Sequence, residues 1–132
     1  MLSRAESRLP ADTENLATTC TACAIAVHRR LGPGFLEGVY QDAMAIELEE
    51  SGLAARREVP VTITYRGRPL RQYRVDLIVE NRVILELKAV ERFERVHQAQ
   101  LISYLRATGI RLGLLMNFNS EYLKAGLRRV VL

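Results

Sequence analysis

The 132-residue chain has only two cysteines, Cys20 and Cys23. That is too few for a disulfide framework, and a structural zinc normally takes four ligands. No apolar run approaches the ~20 residues of a membrane span. Met1 to Pro10 spreads charge through a stretch without an apolar core of signal-peptide length. Together these absences set the expectation of a soluble, cytoplasmic protein with no membrane partner. Internal repeats, low-complexity segments, Gly-rich phosphate loops and GxSxG elbows are also missing. Neither sign of charge dominates: 19 basic residues against 15 acidic ones leave a net +4, which is compatible with nucleic acid without requiring it. What is present is an ordinary globular composition, 48% hydrophobic and 26% charged, at the length of one domain. A chain of this size buries roughly two-thirds of its unfolded surface, enough for a core without a staple.

Hydrophobic periodicity divides the chain into segments. Residues 1–11 mix Ser, Arg, Glu and Pro without a period and read as a flexible tail, leaving 12–132 as a single domain. From an N-cap at Asp12 or Thr13, the residues Leu16, Cys20, Cys23, Ala24, Val27 and Leu31 recur at three and four, which predicts an amphipathic helix stopped by Gly32 and Pro33. Cys20 and Cys23 fall on its buried stripe and read as small core residues, while His28 reads as a cap at its end. A second helix is expected from about Phe35 to Ser51, with Leu36, Val39, Tyr40, Ala43 and Met44 on one face. Val59, Val61, Ile63 and Tyr65 then alternate with polar residues as a strand, and Pro60 points to an edge or a strand start. Strands Leu70 to Val79 and Val83 to Val90 complete an antiparallel meander. A helix from Phe93 to Thr108, a buried strand from Ile110 to Phe118, a helical turn near Ser120 to Ala125 and a last strand from Leu127 to Leu132 follow.

Three charged residues interrupt the apolar texture of the meander: Asp76 in YRVDLIV, and Glu86 and Lys88 in VILELKAV. If Glu80, Asn81 and Arg82 form the loop, Val79 faces Val83, and counting back sets Asp76 opposite Glu86. Period two sends Lys88 to the same face as Glu86. Two carboxylates that close repel by about 3–4 kcal/mol at an effective dielectric near 20, a cost that a divalent cation relieves. Oxygen ligands suit magnesium or manganese, and such a centre can hydrolyse phosphodiesters. The competing reading is a surface salt bridge on a solvated strand face. On the next helix Gln100 and Tyr104 stand at i and i+4, as ordinary packing or as contacts to a water or a DNA backbone. His97 precedes them by one turn and is a candidate for the same cleft. Within GFLEGVY, Glu37 is either a helix-start acid beside the core residue Tyr40 or a further ligand, direct or through water. Gly34 and Gly38 would there permit close backbone approach. Arg66, Arg68, Arg71 and Arg74 either track phosphates or belong to a solvated face.

The run Gly34 to Tyr40 resembles the signature of the GxxExxY protein family. Asp76 with Glu86-Leu87-Lys88 resembles the core motif of the PD-(D/E)xK nuclease superfamily, with Val75 where the superfamily name has proline. Gln100 and Tyr104 resemble the QxxxY element of its RecB-type and lambda-exonuclease-type branch. The resemblance implies an α/β (α+β), restriction-endonuclease-like αβββαβ core, a mixed sheet flanked by helices with one extra N-terminal helix. It implies Asp76 and Glu86 as magnesium ligands, Lys88 as the catalytic lysine and Glu37 as an upstream helical acid. The expected function is a metal-dependent DNA nuclease. A compact core without a docking domain leaves room for action as a homodimer, with a protein partner, or as a non-catalytic nucleic-acid- or protein-binding module on the same fold.

Overall fold

The structure, a computed structural model, describes residues 9–132, so most of the expected N-terminal tail lies outside the described residues. Helix α1 spans Ala11–Leu31. Its N-cap is Pro10 rather than Asp12 or Thr13, and Asp12 instead sits in the first turn and pairs with Arg82 at 2.7 Å. The predicted stripe is buried from Leu16 to Val27, both cysteines included. Burial pushes the Cys20 thiol up to about 12, so it stays an inert core group. Gly32, at φ 65°, ends the helix in a conformation that disfavours any side chain.

Helix α2 spans Glu37–Glu50, two residues later than expected. The loop before it is pinned by Tyr40, whose phenol donates to the Gly32 carbonyl at 2.6 Å and accepts from the Phe35 amide at 3.2 Å. Its ring stacks on Phe118 at 4.6 Å. That early turn exposes Leu36 and Val39, so the buried face narrows to Tyr40, Gln41, Met44 and Leu48. Nothing lies within contact distance of a side chain built at Gly34 or Gly38, so neither serves close approach; Gly34 supplies a φ of 113°.

The meander forms in the expected antiparallel order, as β1 Ala55–Tyr65, β2 Arg68–Val79 and β3 Val83–Lys88; β1 and β2 begin earlier than expected and β3 stops two residues short of Val90. Val79 pairs with Val83, as the loop count requires. Pro60 lies on β1, an edge strand, where its missing donor costs least. Helix α3, Arg95–Thr108, closes on Gly109 in the left-handed conformation and crosses over to β4, Leu112–Asn117, which runs parallel to β3. A short 3-10 turn, Leu123–Gly126, leads to β5, Leu127–Val131, antiparallel to β4. The five strands stand in sequence order in one mixed sheet.

Each face of the sheet carries its own core. Leu77, Val79, Leu85 and Leu87 pack under α1 and α2. Val75, Ile78, Ile84 and Leu115 pack under α3 with Leu101, Tyr104 and Leu105. Gly113 allows α3 to sit close, since a Cβ there would meet Leu101 Cδ1 at 2.7 Å. Among the described residues no helix is long and apolar enough to cross a membrane.

Candidate active site

The β2–β3 ladder stops at Leu77 and Leu85, one step short of Asp76 and Glu86. From there the strands are bridged by side chains. Asp76 Oδ2 accepts from the Leu87 amide at 2.8 Å, and Glu86 Oε1 accepts from the Asp76 amide at 3.3 Å. Each carboxylate thus replaces a ladder bond, which fixes the two groups against each other at the point where the strands part. On β1 the facing residue, Glu58, has φ 49° and is skipped in the pairing between Arg57 with Leu77 and Val59 with Val75. The kink passes the inward side of β1 from the α2 face to the α3 face: Arg57 reaches α2, while Val59 packs with α3.

Glu86 lies on the central strand at 4% exposure. Burial foremost, then the Asp76 carboxylate, pushes its carboxyl up to about 9, with Lys88 pulling the other way. Period two sets Lys88 on the side of Glu86, and its strand end is held beside the end of β4: the Phe118 amide donates to the Lys88 carbonyl at 2.9 Å. The amide of buried Asn117 clasps the Val90 backbone in both directions, at 3.1 and 2.8 Å. Tyr104 joins from α3. Its phenol is pushed up to about 12, first by burial and then by Glu86 and Asp76. It therefore stays neutral within range of the pair's charge.

On the α2 side a cavity of about 460 Å³ is lined by Glu37, Gln41, Arg57, Glu58 and Asp76, among others. Glu37 and Gln41 share one helix face at i and i+4. The buried Gln41 amide donates to Glu58 at 3.2 Å and to Asp76 at 3.5 Å, while its oxygen accepts from Arg57, which also pairs with Asp42. Glu37 accepts from the Ala89 amide at 3.4 Å. Glu58 and Gln41 carry no motif in the sequence that marks them as site residues. The available signals were the i+4 spacing of Gln41 from Glu37 and an acid just before the alternating strand.

The remaining expected residues separate. Gln100 opens with Tyr104, Tyr73 and Ile63 onto a second cavity, of about 380 Å³, between α3 and the β1–β2 pair. His97 is a capping residue, its Nδ1 accepting from the Glu94 amide at 2.9 Å. His28 is a buried tie rather than a cap: its Nε2 bonds the Ser120 carbonyl at 2.8 Å. Among the described residues no three His, Cys, Asp or Glu side chains converge as a ligand group. The chemistry of Asp76 and Glu86 nonetheless fits a hard divalent cation. They are two oxygen donors in contact, one of them so poorly compensated that it holds its proton past neutrality.

No curated protein and no solved structure matches the chain. The family model described as the PD-(D/E)XK nuclease superfamily matches residues 14–130. That span runs from α1 into β5 and contains both carboxylates, the lysine and the mixed sheet, and with it the chain belongs to the PD-(D/E)XK nuclease superfamily, with a restriction-endonuclease-like fold.

Proposed function

We propose that this protein is a divalent-cation-dependent nuclease that hydrolyses phosphodiester bonds in DNA. The observation that carries the reading is the contact pair Asp76 and Glu86 at the parting of two strands, with Lys88 on the Glu86 side. Asp76 and Glu86 would hold magnesium or manganese, with Glu37 acting through water. When bound, such an ion polarises the phosphate and lowers the pKa of water. Lys88 supplies a positive charge where the attacked phosphate gathers negative charge, and orients the attacking water. Tyr104, neutral across the working range, donates to a phosphate oxygen, and Gln100 adds an amide one turn away. The Gly34–Tyr40 run and the Gln100 and Tyr104 pair support a place near the GxxExxY proteins and the RecB-type branch.

The test is cleavage of end-labelled and internally labelled DNA in magnesium, manganese or chelator, with wild type beside Glu86→Ala and Lys88→Ala. Metal-dependent cleavage is expected from wild type alone, with at least a ~100-fold loss in each variant. Equal cleavage by Glu86→Ala overturns the site. Salt-sensitive DNA retention with no turnover in either metal selects the binding module instead.

A further inference from the structure

Beyond Asp76, β2 leaves β3 but stays with β1. It pairs with β3 only at Leu77, Ile78 and Val79, whereas its pairing with β1 continues from Val75 to Arg68. Residues 59–75 therefore rise from the carboxylates as a two-stranded ribbon. Val59, Val61 and Val75 anchor its base against α3, and from Thr64 to Arg74 every residue is exposed. At about 3.3 Å per residue, Asp76 to Arg68 spans roughly 26 Å, the rise of some eight base pairs.

The ribbon's charge is one-sided. It holds Arg66, Arg68, Arg71 and Arg74 and no acidic residue. The chain's other fifteen basic residues balance its fifteen acidic ones, so the ribbon accounts for the whole net charge of +4. Arg57, Arg82 and Arg129 are committed to carboxylates. Among the described residues the four ribbon arginines form no ion pair or side-chain hydrogen bond. Nor do they share a face. Arg71 lies on the side of Tyr73 and Val75, Arg74 on the other, and Arg66 stands in the tip turn at φ 51°.

We propose that this ribbon enters the major groove of double-stranded DNA, its arginines meeting phosphates of both strands, and so delivers duplex to the carboxylate site; the delivery rests on the nuclease reading above. A ribbon lying on one strand needs positive charge on one face, whereas a ribbon between two backbones needs it on both. The major groove of B-form DNA, about 12 Å wide, admits a two-stranded ribbon, and the deep, narrow major groove of duplex RNA does not.

The experiment measures binding of the full chain to a short duplex DNA, its single strand and the matching duplex RNA, in chelator and across a salt series. Wild type is compared with the fourfold Arg66, Arg68, Arg71 and Arg74→Gln variant and with Arg71→Gln and Arg74→Gln singly. Hydrolysis of bis(p-nitrophenyl) phosphate with manganese, a diester too small to reach the ribbon, is read in parallel. The expected result is at least a ~100-fold loss of duplex DNA affinity in the fourfold variant. Its salt slope should fall by about 3.6 and that of each single variant by about 0.9, with small-diester hydrolysis unchanged. Unchanged duplex affinity and slope overturn the proposal, as does an equal loss on single strand or equally tight ribbon-dependent binding of duplex RNA. Ribbon-dependent duplex binding without any diester hydrolysis upholds the ribbon and refutes the nuclease reading.

Discussion

Burial removes Glu86 from water, and the Asp76 carboxylate beside it adds to the cost of ionisation, so the folded protein keeps a proton there up to about 9. The unfolded chain gives that proton up near the ordinary value of 4.5. Between these two values the folded state binds the extra proton, so stability is fully present below the lower one and is lost as pH rises through the upper. In chelator, thermal unfolding should therefore shift downward from about pH 5 to pH 9, and Glu86→Gln should flatten the profile; a flat wild-type profile would contradict the shifted carboxyl. Under the proposed ligand role, magnesium or manganese would have to displace the same proton, so metal affinity should rise with pH and about one proton should leave per ion bound. Calorimetry in buffers of different ionisation enthalpy reads that number directly, and no release would contradict the ligand role. Tyr104 is pushed the same way, to about 12, and so stays neutral through the working range. Tyr104→Phe should slow cleavage by about tenfold without moving the alkaline limb of the rate profile, whereas a moved limb would mean that the phenol gives up its proton during turnover.

At the scale of elements, the sequence spoke clearly where structure is local. The Glu80 to Arg82 loop sets the register at Val79 and Val83, and that count alone brings Asp76 to Glu86. The apolar periods foretold the buried stripe of α1 and the fully buried β4. Glu58 and Gln41 escaped because their roles need a left-handed residue in β1 and a helix crossing that brings α2 over it, and neither is encoded in the period of either segment. Leu36 and Val39 escaped for a related reason: they continue the apolar pattern, but Tyr40 fastens the preceding loop and starts the helix at Glu37. Packing supplies a further test. Tyr104 lies near enough to feel the charge of Glu86 and Asp76 because α3 lies close on β4 at Gly113, where an added Cβ would stand 2.7 Å from Leu101 Cδ1 and 2.9 Å from Cγ. Gly113→Ala should cost about 1–3 kcal/mol by denaturant unfolding, and it should lower cleavage even where the protein remains folded. A neutral result would mean that Leu101 repacks freely and that α3 tolerates the shift.

Across the whole molecule, the two ends of the described chain are joined by one ion pair. Arg129 on β5 grips Glu14 on α1 through two bonds, at 2.8 and 2.6 Å, 115 residues apart in sequence. Glu14 is buried while Arg129 is partly open to solvent. The pair fastens the edge strand β5 to the helix that covers the other side of the same sheet. Its value is asymmetric. Removing Arg129 leaves a carboxylate in a place water reaches poorly, whereas removing both partners leaves nothing to solvate. With part of the attraction screened on the arginine side, Arg129→Met should cost about 2 kcal/mol, and the Glu14→Leu, Arg129→Met double variant should recover most of that. Urea unfolding of the four members of the cycle gives the coupling directly. Additive losses would mean that the pair is solvated in solution and that apolar packing of α1 alone holds the edge. Coupling with unchanged cleavage would show that the closure serves the fold, since Asp76 and Glu86 sit on strands that β5 does not pair with.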